Sequence, residues 1–199
     1  MVKRLVLIVV MLGCMSSVNA GNQVVELNLN ENDLELSLAR VQSWSKHAQT
    51  FFGMGFLSSI QTINGEKKKV TMADATMTHV GNTEVKGLGI GLGFKAIYSD
   101  LNMFIPKQTA EALAVRFKLL YTLPIVVKSI VSATINYAPG SLSFSSGLER
   151  YSDNRFEINF QPIPAGWFYI GYRKVSFGIE NSGELVLNES GYLGYKIYF

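Results

Sequence analysis

Two histidines, His47 and His79, and one cysteine, Cys14, are the whole supply of imidazole and thiol in this chain. Acyl-transfer chemistry needs a nucleophile, a base in hydrogen-bond reach and a third group that orients the base. His47 stands in a connection beside Trp44, Ser45 and Lys46, and His79 stands next to the turn signal Gly81-Asn82. Neither position supplies such a set. Asp100, Glu149 and Asp153 read as loop acids, ordinarily solvated, with divalent cations bridging lipopolysaccharide as their functional alternative. No spacing of His, Cys, Asp and Glu matches a metal site, and no cofactor motif is present. The charges with a usable pattern are Arg116 and Lys118, two residues apart, together with Glu35, Glu157 and Arg173. On extended chain, residues two apart share a face, so these five form a candidate internal network of opposite charges.

The segments that carry these residues alternate with a period of two. Leu113, Val115, Phe117, Leu119 and Tyr121 alternate with Ala112, Ala114, Arg116 and Lys118. Val131, Ala133, Ile135 and Tyr137 alternate with Ser132, Thr134 and Asn136, and Phe156, Ile158 and Phe160 alternate with Glu157, Asn159 and Gln161. Val25, Leu27 and Leu29, then Leu34, Leu36 and Leu38, do the same on either side of a polar break at residues 31–33; these are two short strands or one long bent one. Residues 167–177 form an aromatic strand of ambiguous facing. This pattern marks strands whose two faces meet different solvents.

The last nine residues are the sharpest case. Phe199, Ile197, Tyr195 and Leu193 share one face, continued by Gly191, while Lys196 and Gly194 lie on the other. An apolar strand of this kind would be an adhesive free edge in water. It is at home as the closing strand of an outer-membrane barrel, where the apolar face meets lipid. The same pattern, ending in a terminal aromatic, resembles the signal understood to be read by the outer-membrane assembly machinery.

Residues 87–94 place glycine at every odd position, with Leu88, Ile90, Leu92 and Phe94 between. That strict alternation is not the spacing of a dinucleotide-binding loop, and no helical pattern follows it. It reads as a strand with all four glycines on the lumen face, making room for large side chains opposite.

The N-terminus agrees with export. Lys3 and Arg4 precede an apolar run over residues 5–12, and Val18 and Ala20 stand three and one before a cut after Ala20. Residues 1–20 are thus expected to be a signal peptide and residues 21–199 the mature domain. In a second reading, Met11-Leu-Gly-Cys14 is a loose lipobox and Cys14 becomes a lipidated first residue. Beyond Ala20 no apolar stretch approaches the length of a membrane helix, so a membrane protein made of this chain must be a closed barrel. The net charge of +3 is mild and gives no reason to expect nucleic acid.

The expected fold is all-β: an antiparallel up-and-down transmembrane β-barrel of ten strands, with eight as the alternative. Short connections at Gly81-Asn82, Leu123-Pro124 and residues 162–166 fall on the periplasmic side. The longer ones, near Asn64 and at residues 100–108, 140–151 and 180–184, fall outside, the asymmetry of bacterial barrels. A monomer in lipid and lipopolysaccharide is expected.

Two stretches carry a family resemblance. One runs from Tyr137 through Pro139, Ser141 and Leu142, with Tyr151, Glu157 and Gly171-Tyr172-Arg173; the other is the glycine ladder through Tyr98. Together they resemble the YfaZ family of predicted outer-membrane proteins of Gram-negative bacteria. The chain departs from that pattern in its N-terminal third, at residues 30–33 and 67–69. The resemblance implies a barrel in the outer membrane and implies no activity. Barrel lipases and deacylases, by contrast, resemble one another in a His–Ser pair near the outer rim, which this sequence does not reproduce. The favoured reading is a structural or interaction barrel with a plugged polar lumen. The alternative is a narrow, cation-repelling or gated channel for ions or small solutes, and a lipid-modifying enzyme is disfavoured.

Overall fold

The computed structural model describes residues 22–45, 47–63, 66–101, 109–181 and 183–199. The expected signal peptide, Ala20 and Cys14, and parts of the loops at Asn64, at residues 102–108 and at residue 182, lie outside them. Among the described residues ten strands form one closed antiparallel barrel, each pairing with its neighbours in chain order and the last with the first. The strands are β1 (Gln23–Leu29), β2 (Asp33–Ser45), β3 (Ala48–Ile63), β4 (Glu66–Asn82), β5 (Leu88–Asp100), β6 (Thr109–Leu123), β7 (Ser129–Pro139), β8 (Leu148–Ile163), β9 (Gly166–Ile179) and β10 (Gly183–Tyr198). The polar break read at residues 31–33 does divide two strands, although Asp33 already belongs to β2 and the reversal is residues 30–32, and the count is ten rather than eight. Closure leaves no edge strand, so an apolar outer face carries no unpaired backbone rim.

The seam that closes the barrel is made by the two ends of the chain. Val25 faces Ile197 and Leu27 faces Tyr195 across β1 and β10. Gln23 and Phe199 exchange both backbone hydrogen bonds, each at 3.0 Å. Deleting Phe199 removes this outermost pair together with an apolar outer side chain. The amount of barrel recovered from outer membranes, scored by heat-modifiable gel mobility, should fall; an unchanged yield would refute the role assigned to the terminal residue.

Facing follows the alternation. Leu92, Val115, Phe117, Ile135, Ile170, Leu193 and Ile197 stand exposed on the outer face. In β9 the ambiguity is resolved: Trp167, Tyr169, Arg173, Val175 and Phe177 are buried inside, and Phe168, Ile170 and Tyr172 point out. Outward aromatics stand at both ends of the wall and along its middle. Trp44, Tyr121, Phe168 and Phe199 lie toward the end where β1 starts and β10 ends, Tyr98 and Tyr137 toward the distal end, and Phe94, Phe117, Phe156 and Tyr172 between them.

Three turn readings need correction. The β4 strand runs on through Gly81 and Asn82, and the reversal lies at residues 83–87, where Gly87 adopts φ +84°. Gly87 is thus a turn residue whose left-handed backbone suits glycine, not part of the lumen ladder. The ladder proper is Gly89, Gly91 and Gly93. The turn read at residues 162–166 is shorter, since β8 reaches Ile163 and β9 begins at Gly166. The loop read from Gly140 to Tyr151 contains a single 3₁₀ turn, Gly140–Leu142, and ends where β8 starts at Leu148.

The β1–β2 hairpin is shorter than its neighbours at the distal end, which leaves a notch between β10 and β3. A bulge in β10 between Val186 and Asn188 fills it. Leu187 is the extra residue and is fully buried. Its carbonyl accepts hydrogen bonds from Ser59 Oγ at 3.0 Å and Gln61 Nε2 at 2.6 Å, both on β3. Bulges of this kind bend a strand and re-aim one side chain.

Candidate functional site: the barrel interior

Along its axis the interior has three layers. The layer nearest the chain termini is a vestibule of about 450 Å³, lined by residues that include Phe51, Lys118, Lys128, Asn159, Trp167 and Tyr198. Next comes a charged belt around a second space of about 140 Å³, which shares Phe51, Lys118, Lys196 and Tyr198 with the first. The distal layer is apolar: Leu57, Val70, Met72, Ile97, Leu101, Leu148, Tyr151, Val175, Phe177 and Leu187 form one buried cluster, with Leu142 and Leu185 packed against it. Tyr151 and Phe177 meet within it at a tilt of 36°, 5.4 Å between ring centroids.

The charged belt is organised on Asp153, which is fully buried. Lys95 Nζ lies 2.8 Å from Asp153 and 3.1 Å from Asp74. Arg173 donates to both oxygens of Asp153, from Nε at 3.0 Å and Nη2 at 3.2 Å. Arg155 donates to both oxygens of Glu35, from Nη2 at 2.7 Å and Nη1 at 3.1 Å, and its Nε reaches Asp153 at 3.4 Å. Glu35 also receives the Asn28 amide at 2.8 Å and lies 3.2 Å from Arg173 Nη1. Two-pronged guanidinium–carboxylate contacts fix orientation as well as charge. A second knot sits nearer the vestibule. Glu157 takes Tyr192 Oη at 2.8 Å and Lys196 Nζ at 3.2 Å, and Lys196 also lies 3.5 Å from Glu26. Tyr169 donates to Glu26 at 2.6 Å and contacts the Asn28 amide oxygen. Its ring fits because β10 carries glycine at position 194, where a Cβ would collide with it.

The five charges singled out in the sequence all line the interior, but they do not form one network. Glu35 and Arg173 meet around the Asp153 hub. Glu157 joins Lys196, not the β6 cations. Among the described residues Arg116 and Lys118 have no carboxylate in ion-pair range: Arg116 donates to Asn136 at 3.3 Å, and Lys118 stands 6.0 Å from the Phe51 ring centre. Asp153 is no loop acid; it lies on β8, and Asp100 and Glu149 also lie on strands. Sequence reading missed Asp74, Lys95 and Arg155, took Asp153 for a loop acid, and put Lys196 on the inner face without a partner. The signal was available in part. Tyr151, Asp153, Arg155, Glu157 and Asn159 continue one alternation upstream, and Lys95 continues the glycine ladder.

His79 faces outward on β4 and shares a 2.9 Å hydrogen bond with Thr50, whose hydroxyl also accepts from Trp44 Nε1 at 2.8 Å. The trio lies on the outer face at the terminal end, where indole and imidazole suit a boundary between apolar and aqueous media. His47 lies in the β2–β3 turn; its backbone carbonyl accepts from Asn82 at 2.8 Å.

No protein-family model and no curated protein sequence matches this chain. Several solved structures share its architecture at low identity. The NanC porin in a rhombohedral crystal form is 11% identical, with 90% of this chain and 100% of that chain covered and a TM-score of 0.42. The β domain of the Bordetella autotransporter Brka is 10% identical over 91% and 100% of the two chains, with a TM-score of 0.47. The CymD monoaromatic hydrocarbon channel is 9% identical over 91% and 67%, with a TM-score of 0.39. These likenesses concern the fold alone.

Proposed function

We propose that this chain is an outer-membrane barrel of structural or interaction type whose lumen is closed to solutes. Membrane residence is supported by the closed hydrogen-bonded wall, the apolar outer band and the aromatics at its two ends, the combination that hydrocarbon demands of a spanning sheet. With the termini on the periplasmic side, the vestibule opens to the periplasm and the apolar cluster lies toward the cell exterior. Residence in the YfaZ family belongs to the same reading and rests on the residues around Tyr137 and the glycine ladder. A non-enzymatic role is supported by the separation of the histidines: His79 faces outward on β4, and His47 lies in the β2–β3 turn at the vestibule wall.

The observation that carries closure is the distal cluster. Tyr151, Phe177, Met72, Leu57, Leu101 and Leu187 are each at most 2% exposed. A path for hydrated ions would have to pass both this dry layer and the paired charges beneath it, and barrels of this strand number leave little room beyond their own side chains. The test is conductance across a planar bilayer. The purified barrel should show no stable steps, whereas Tyr151→Ala combined with Phe177→Ala should admit ions. Regular ohmic steps from the unaltered protein would refute closure and favour the narrow channel.

A further inference from the structure

The vestibule has a charge that its own walls do not neutralise. Arg116 and Lys118 lie two apart on β6, where the vestibule passes into the charged belt; Lys118 lines both spaces and Arg116 only the inner one. The carboxylates of that belt are already engaged: Glu26 and Glu157 with Lys196, Asp74 and Asp153 with Lys95, and Glu35 with Arg155. Arg116 Nε is buried and makes no hydrogen bond. Lys128 adds a third cation at the mouth, 5.2 Å over the Trp167 ring and likewise without a carboxylate partner among the described residues. A buried donor left unmade is costly, and paired charges normally fill a barrel interior. Beside these cations stand Phe51, Trp167 and Tyr198, with the amides of Asn159 and Gln161. About 450 Å³ falls in the range of small-molecule sites, which combine apolar walls with a few convergent polar groups.

We propose that the vestibule binds a small organic anion. Its carboxylate or phosphate group sits against Arg116 and Lys118, and its apolar body lies along Phe51 and the Trp167 indole near the mouth. The inference rests on the proposed function only for the side of the membrane to which the mouth opens; the site itself is a property of the folded barrel. The bare reading of the same residues, a water-filled barrel end with solvated lysines, predicts no saturable site and no preference for an anion with an apolar body.

The experiment uses the full barrel in detergent micelles, with folding confirmed by heat-modifiable mobility. Trp44→Phe leaves Trp167 as the single indole, since the chain has two tryptophans. Its fluorescence is titrated with 4-nitrophenyl phosphate, with 4-nitrobenzoate and with the neutral 4-nitrobenzyl alcohol. Saturable quenching by the anions at concentrations roughly tenfold or more below the alcohol is expected, as is a comparable loss of anion affinity in Arg116→Gln and in Lys118→Gln. Tighter binding of the phosphate points to a phosphorylated ligand, and tighter binding of the benzoate to a carboxylate. Lys174→Gln, which removes an outer-face lysine paired with Glu189, should change nothing. Because Arg116 and Lys118 lack carboxylate partners, their replacement should leave the heat shift intact. Non-saturable quenching, equal response to the alcohol, or unchanged affinity in both β6 variants overturns the proposal. If conductance appears while anion binding persists, the closed-lumen reading fails and the site stands.

Discussion

Replacing Asp153 with Ala should destabilise the barrel more than any other single change in its interior. The substitution leaves Lys95 with Asp74 alone and Arg155 and Arg173 sharing Glu35, three cations against two carboxylates, with Lys95 and Arg173 almost fully buried. Removing one partner of a buried ion pair costs about 3–5 kcal/mol, because the stranded charge keeps its desolvation penalty and loses its compensation. The expected readout is a large drop in the urea midpoint of the barrel in lipid vesicles, together with less heat-modifiable band. Three cations share the burden, so the effect is not additive. In Asp153→Asn the loss should be partly recovered by adding Arg173→Met, since Lys95 then keeps Asp74 and Arg155 keeps Glu35; interacting sites of this kind couple by about 0.5–3 kcal/mol. A midpoint that does not move in Asp153→Ala would show that water enters the belt freely and that the hub does not hold the barrel.

An arginine introduced at Leu92 should strongly reduce assembly, and one introduced at Ser132 should be tolerated far better. Leu92 is 61% exposed on the outer face of β5, the fifth residue from its terminal end and the cross-strand partner of His79. In a membrane a cation on the lipid face costs about 2–4 kcal/mol at the midplane and less toward an interface. Ser132 faces inward at the vestibule, and its hydroxyl donates to Glu157 at 3.4 Å. A guanidinium there would have space and a carboxylate beside it. Recovery of the two variants from isolated outer membranes, scored by heat-modifiable mobility, separates the faces. Equal recovery would overturn the inside–outside assignment of the whole wall, since a shift of one residue exchanges the faces of a strand.

The wall of this barrel was legible because period two survives any uncertainty about where a strand begins. Leu193, Tyr195, Ile197 and Phe199, or Val115, Phe117 and Leu119, announce one face whatever their partners are. The chemistry of the interior was less legible, for two physical reasons. First, facing says that a charge points inward and not which charge it meets. Arg116, Lys118 and Glu157 share a lumen, yet Glu157 pairs with Lys196, because β10 and β8 flank β9 and bring those two side chains together. Second, strand ends are weakly marked. Asp153 follows Ser152 and precedes Asn154, a polar run that reads as loop, and only its pairing with β7 and β9 shows that the strand begins at Leu148.

Alternation along the chain is enough to call for an all-β wall with an apolar outer face, a last strand in need of a partner, and an inward set of charges. Local backbone geometry suffices for that, since alternation is a property of consecutive residues. The tertiary structure alone decided that the count is ten, that Asp153 is the hub of the charge belt, and that Leu187 fills the notch left by the short first hairpin. It alone decided that the distal layer is apolar and buried and that, among the described residues, two β6 cations are left without carboxylate partners. Each of those depends on which strands are neighbours and how far each extends, and register across a closed sheet is set by all ten strands together.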